Sequence, residues 1–333
     1  TAFSLIFFCI QNIYSMKIFK FGGASVKDAD SVKNVLRVLS IQGFERCLIV
    51  VSAMGKTTNA LERVVEFYFN KSDYQQEIAK IKEEHIQIAK GLFDENHHVF
   101  SEIKLFFDDI ESFLRRNKSP NYNFVYDQVV TCGEMISSKI LSVYLSDNEI
   151  GNQWLDARDF IKTDTNYREG LVNWEETEKN ISQLDKTKTY VTQGFIGSDE
   201  NNFTVSLGRE GSDYSAAIFA YCLDAKDMTI WKDVPGVMTG DPRKFENVEL
   251  LSNISYEEAI EMAYYGASVI HPKTLQPLKQ KSIPFFVKSF INPEKAGTKI
   301  GISTENQLLE SYILKENQVL MRIATRDFSF IAE

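Results

Sequence analysis

Six short runs in this chain, Lys17–Phe21, Cys47–Val51, Thr189–Thr192, Phe203–Ser206, Met228–Trp231 and Pro284–Val287, are rich in β-branched and aromatic residues. Several lack any polar alternation. A strand with one face in water alternates. A strand covered on both faces does not, as in parallel sheets packed between layers of helix. Helical patterns fill the intervals. Asp30–Leu39 follows the first run, and Ile78, Ile81, His85, Ile88 and Leu92 recur at three- and four-residue steps. Ser212–Cys222 and Tyr256–Tyr265 also read as helices, and in ISYEEA an N-cap Ser255 with Glu258 three residues on makes a capping box. Strands alternating with helices predict an α/β fold, a three-layer α/β/α sandwich around a mainly parallel sheet. Ligands of such sheets gather at the carboxyl ends of the strands, so chemistry is sought just after each run.

The first of these ends is KIFKFGGAS. A lysine stands almost at the end of an apolar strand, which then stops at Gly22-Gly23. Glycines let a ligand approach main-chain N–H groups, and the lysine adds a compact positive charge. Together they describe an anion site, most often for phosphate, although a tight turn beside a surface lysine reads the same way. The second is SLGREGSDYSAA, Ser206–Ala217. Gly208 and Gly211 bracket Arg209, and Ser212-Asp213 open a helix. Such a helix start offers free N–H donors to an anion, and Arg209 can fork onto a carboxylate or phosphate; alternatively Ser212 or Asp213 is simply the cap. The third, WKDVPGVMTGDPR, holds Lys232, Asp233, Met238 and Arg243 in a loop of the kind that binds nucleotides.

Other stretches narrow the choice. SAMGKTTNA suggests a P-loop, but Val50 stands where the pattern requires glycine. What remains is a small-residue loop with Ser52, Gly55 and Thr58 as donors. No GxGxxG follows the first strand. VTCGEMISS puts Glu134 at a helix start, where it either binds an ammonium group or merely suits the helix dipole. Cys132 beside it has no histidine placed to activate it.

Bulk properties agree with a globular chain. It has 333 residues, 44% hydrophobic and 25% charged, enough for one large domain or two ordinary ones. A net charge of −9 argues against an extended surface for nucleic acid. Four dispersed cysteines without CxxC read as free thiols in a reducing cytoplasm, and no protein-held metal site is expected. Residues 1–15 are apolar but lack the basic start of a signal peptide and are too short for a bilayer span. With the first methionine at Met16, they read as an upstream leader. No membrane association is expected.

In their order and spacing these pieces resemble the amino-acid kinase family, and within it the aspartate kinases, from about Met16 to Ile302. KFGGAS is similar to the family's opening Lys-Phe-Gly-Gly-Thr-Ser, LGREGSDYSA to its Leu-Gly-Arg-Gly-Gly-Ser-Asp-Tyr segment, and DVPGVMTGDPR and YYGASVIHPKTL to two segments lining the nucleotide site. The resemblance implies transfer of the ATP γ-phosphoryl to the β-carboxylate of L-aspartate, with Mg²⁺, as the first step towards lysine, threonine and methionine. It implies Lys20, Gly22, Gly23 and Asp213 as catalytic residues, Thr58, Glu134, Arg209 and Ser212 around aspartate, and Ser52, Lys232, Asp233, Met238, Arg243 and Ser268 around ATP. It also implies a catalytic domain over 16–305, then a linker and the truncated first strand of an ACT regulatory domain over 306–333, with homodimerisation of the longer protein. Asn292–Asn306, rich in Gly, Pro and polar residues, reads as linker.

This sequence departs from the family at Ala24, Glu210, Lys232, Met238 and Ser268. The last three fall at the ATP end, and Lys232 is a candidate to replace a lysine that relatives often carry at position 268. Two alternatives stay open: a kinase of another small carboxylate such as glutamate, and a non-catalytic sensor that binds ATP or an amino acid.

Overall fold

Successive residues of the first strand are buried on opposite sides. Phe19 and Phe21 enter one apolar cluster and Ile18 another, so β1 (Lys17–Phe21) has no solvent face and needs no polar alternation. The computed structural model describes residues 15–266, 270–302, 310–314 and 319. After β1 come α1 (Ala29–Gln42), β2 (Cys47–Val51), α2 (Thr57–Phe69), α3 (Gln75–Lys90), α4 (Val99–Arg116), α5 (Tyr122–Val130) and α6 (Cys132–Asp147). Then follow β3 (Gln153–Trp154), α7 (Ala157–Phe160), α8 (Trp174–Ile181), β4 (Tyr190–Gln193), β5 (Ile196–Ser198), β6 (Thr204–Ser206), α9 (Gly211–Leu223) and β7 (Asp227–Lys232). Finally come β8 (Asn253–Ser255), α10 (Tyr256–Tyr265), α11 (Pro272–Gln280), β9 (Phe285–Ser289) and β10 (Thr298–Gly301).

Eight strands form one sheet in the order β3-β4-β2-β1-β7-β9-β10-β8. Every pairing is parallel except β9 with β10. Helices α1 to α6 cover one face through Val35, Leu61, Ile81, Phe107, Val129 and Ile140. The second cluster covers the other face with Ile181, Phe219, Tyr256 and Leu275 from α8, α9, α10 and α11. This is the expected three-layer, mainly parallel sandwich. Local signals set the helix ends: Asp28 accepts from Ser31 N–H at 2.7 Å to start α1, and the Ser255–Glu258 capping box starts α10.

Two expectations need correction. The Phe203–Ser206 run supplies β6, but β6 pairs antiparallel with β5 in a separate two-stranded sheet. Asp199 explains the reversal, because its carboxylate accepts from the N–H groups of Asn201 and Phe203 and folds the intervening turn. The Asn292–Asn306 linker contains β10, whose Thr298 and Ile300 are buried on either side of the exposed Lys299. Gly297, at φ +71°, turns the chain back onto β9. Glu310–Leu314 form no regular element, and most of the expected strand beyond them lies outside the described residues, as do positions 1–14.

The topology fixes where a ligand can sit. From β1 the chain passes to β2 on one side and later returns as β7 on the other. A crevice opens at such a switch point, at the carboxyl end of β1. Gly22 and Gly23 lie there.

Candidate active site

Gly22 has φ −78° and ψ 170°, a conformation open to any residue. The need for glycine is one of space, and it is sharpest at Gly23. A Cβ there would lie 2.8 Å from the Ala53 carbonyl oxygen and 3.1 Å from that of Gly55. Both are backbone atoms, and Gly55 N–H donates to Gly23 O at 3.0 Å. The loops after β1 and β2 are thus locked backbone to backbone.

Lys20 projects from β1 towards α9, where its Nζ lies 2.6 Å from Asp213 Oδ1. Lys232, at the end of β7, brings a second ammonium 3.8 Å from Asp213 Oδ2. Asp213 is 1% exposed. Among the described residues, these two lysines are the groups that meet its carboxylate, and no neutral donor does. Two cations on one buried carboxylate leave a net positive charge, and each lysine is held in place by the same partner.

The start of α9 is built for access. Its N-cap is Glu210, at φ +54°, and no side chain caps the helix. Neither Ser212 nor Asp213 is therefore the cap, and beyond Gly211 the first-turn N–H groups carry no side-chain cap that would compete with an anion. Gly208, at φ +77°, makes the preceding turn and accepts from Gly211 N–H at 3.0 Å.

These parts border a cavity of about 780 Å³ lined by Lys20, Gly23, Ser52, Thr58, Glu134, Arg209, Ser212 and Asp213. Gly22 adjoins it, with space for a Cβ 3.4 Å from Lys20 Nζ. Glu134 lies in the first turn of α6 and is 3% exposed. Its Oε1 accepts a long 3.4 Å bond from Ala53 N–H, and its Oε2 has no partner among the described residues. Burial pushes its carboxyl up to about 8, against the pull of two backbone N–H groups and the Lys20 charge. A buried carboxyl with a free oxygen at a cavity wall is the complement of an ammonium group.

A second cavity of about 600 Å³ lies beyond β7, lined by Asp233, Met238 and Arg243, by Val234 to Val237, and by Tyr312 to Leu314. Its wall is largely apolar, as suits a flat ring system. Arg243 is drawn onto Asp241, Nη2 to Oδ2 at 2.8 Å, and that bond holds the aspartate carboxyl down to about 2. Lys232 immediately precedes Asp233, which lines this second cavity, while Lys20 and Asp213 line the first. Ser268 lies outside the described residues.

Several residues of the first cavity carry no sequence signal: Asn123 and Tyr126 of α5, Asn166 to Arg168 of one loop, and Phe195. They converge through tertiary contacts that no local pattern encodes. Burial pushes the Cys132 thiol up to about 12, which agrees with its reading as an inert thiol.

Residues 15–289 match the model of the amino acid kinase family. The chain is 32% identical over 324 residues to the chloroplastic bifunctional aspartokinase/homoserine dehydrogenase 2 of Arabidopsis thaliana, which covers 93% of this chain and 34% of that one. It is 32% identical over 316 residues to lysine-sensitive aspartokinase 3 of Escherichia coli, covering 91% of this chain and 68% of that protein. The crystal structure of E. coli aspartokinase III in complex with aspartate and ADP has a TM-score of 0.79 and 30% identity, over 87% of this chain and 65% of that one. The chain thus spans about a third of the length of the bifunctional relatives. No helix among the described residues is long and apolar enough to cross a membrane. A match running from the strand before the glycine turn to the end of β9, on a shared fold, shows that the chain belongs to the amino acid kinase family, beside the aspartokinases.

Proposed function

We propose that this chain is the catalytic part of an aspartate kinase, transferring the γ-phosphoryl of ATP to the β-carboxylate of L-aspartate to give 4-phospho-L-aspartate. One observation carries the reading: Lys20 and Lys232 converge on the buried Asp213, and the cavity that Lys20 and Asp213 line contains a buried, half-unpartnered Glu134. The first cavity takes aspartate, with its ammonium on Glu134, its α-carboxylate on Arg209, and hydrogen bonds from Thr58 and Ser212. The second takes the adenosine, against Asp233, Met238 and Arg243.

The attacking carboxylate is already a nucleophile, so no general base is needed. Catalysis is positioning plus neutralisation of charge. Lys20 would hold the phosphoryl in transit, the N–H groups of Gly22 and Gly23 and of the uncapped α9 would add donors, and Ser52 would border the phosphates. Lys232 would neutralise the phosphate chain from the nucleotide side. Among the described residues no three His, Cys, Asp or Glu side chains converge as a metal site. A Mg²⁺ ion carried on the nucleotide phosphates would neutralise part of their charge. Residues 16–305 would form the catalytic domain, and 306–333 the linker and first strand of an ACT domain in a longer, homodimeric, cytoplasmic protein.

Hydroxylamine trapping tests the reaction. With Mg-ATP, L-aspartate should yield a coloured hydroxamate, L-glutamate and N-acetylglutamate should not, and Lys20→Ala should abolish the signal. A folded protein that binds ATP and aspartate but forms no hydroxamate would refute the kinase reading in favour of a sensor.

A further inference from the structure

Arg168 sits in the loop between Thr163 and Leu171 at φ +75°, a left-handed conformation that disfavours any residue with a Cβ. Its backbone N–H donates to Asp127 Oδ2 at 2.8 Å. Asp127 is wholly buried and also accepts from Ser206, through N–H at 2.9 Å and Oγ–H at 2.6 Å. One carboxylate therefore ties the Arg168 loop to β6, the strand that delivers Gly208 and Arg209. The two turns touch: a Cβ on Gly208 would lie 3.2 Å from the Arg168 carbonyl oxygen. Two adjoining left-handed turns thus bring two arginines to the wall of one cavity.

The side chain of Arg168 is not used up by the fold. Its guanidinium rests on the Tyr126 ring, 4.3 Å from the centroid. Among the described residues, neither Arg168 nor Arg209 has a carboxylate within ion-pair distance, although Glu169 and Glu210 line the same cavity. Lys20, its third cation, is already paired with Asp213. An acceptor with two carboxylates presents one to the phosphoryl and needs the other held. A planar fork of N–H donors beside Arg209 matches that second carboxylate.

We propose that Arg168 is a specificity-determining residue of the acceptor cavity: on binding, its guanidinium leaves Tyr126 and joins Arg209 on the carboxylate of the acceptor that does not react. This inference rests on the reading of the first cavity as the acceptor site. It accounts for a strained arginine where glycine would sit without strain, since unfavourable backbone conformations persist where a function requires the side chain.

Arg168→Gly separates function from structure, because glycine suits the backbone. The variant should keep or raise the melting temperature. Its KM for L-aspartate should rise roughly 10- to 100-fold, the usual loss for a charged hydrogen-bonded pair, with kcat changed less than about threefold. Arg168→Lys, which keeps the charge but not the fork, should recover only part of the loss. The α-carboxamide of L-aspartate, assayed as competing acceptor or inhibitor, lacks the carboxylate in question, so its apparent affinity should stay within about twofold. A KM for L-aspartate within twofold of wild type in Arg168→Gly, or an equal loss for both acceptors, overturns the proposal. Failure of the wild-type protein to form hydroxamate from L-aspartate would instead overturn the acceptor reading beneath it.

Discussion

Replacing Glu134 by glutamine removes a carboxyl that the fold holds in its protonated form. In the unfolded chain this group loses its proton near the ordinary glutamate value of 4.5, and in the folded protein burial delays that to about 8. Between these values the folded state binds more protons, so stability falls as pH rises through the window and the loss is complete above about 8. A shift of this size corresponds to roughly 5 kcal/mol across the window, and to roughly 3 kcal/mol by pH 7, at 1.36 kcal/mol per unit. Glu134→Gln does not titrate. Urea unfolding at pH 5, 6.5 and 8 should therefore show a wild-type stability that declines by several kcal/mol relative to the variant. The same proton links to function: an ammonium ligand must ionise Glu134. Binding of L-aspartate at pH 7 should release close to one proton, measured by calorimetry in buffers of different ionisation enthalpy, and affinity should rise with pH up to about 8. In Glu134→Gln the proton release should vanish and affinity should fall about 100-fold or more. Parallel stability curves for the two proteins, together with buffer-independent binding heats, would refute the reasoning.

Two further outcomes follow from neighbouring residues. Lys232→Ala should raise the KM for ATP about tenfold and leave that for L-aspartate within about twofold, because Lys20 still holds Asp213 at 2.6 Å; an unchanged ATP KM in steady-state kinetics would remove Lys232 from the nucleotide site. Glu210→Gly relieves a left-handed N-cap at φ +54° whose side chain makes no capping bond. It should stabilise the protein by about 1 kcal/mol, seen as a small rise in melting temperature, and a lower value would contradict the strain.

Where the sequence was explicit, local chemistry decided the structure. The apolar runs Lys17–Phe21 and Cys47–Val51 are the first two strands, residue for residue, because burial on both faces leaves no regular polar alternation within them, Lys20 being the one lysine buried there. The Ser255–Glu258 box needs only neighbours three residues apart. The pairing of Lys20 with Asp213 is different. The resemblance implies only that both belong to one catalytic set, and no pattern within either segment says that β1 meets the start of α9. Other features were illegible for a similar reason. Thr298–Gly301 reads as a polar linker until β9 and β8 flank it, and the Thr204–Ser206 run cannot say whether its partner is a parallel strand or a hairpin. At Glu134 two readings stood side by side, a helix-dipole residue or an ammonium ligand; burial with one unpartnered oxygen favours the second. Arg168 and Tyr126 meet through a turn and a helix that only the tertiary fold brings together.

The most direct test is a crystal structure of the protein with L-aspartate and a non-hydrolysable ATP analogue bound together. The account predicts the amino group of aspartate on Glu134, its β-carboxylate beside Lys20, and the γ-phosphate between Lys20 and Lys232, with the adenine in the Asp233–Arg243 cavity. Aspartate bound away from Glu134, or a nucleotide whose γ-phosphate lies remote from Lys20, would contradict it.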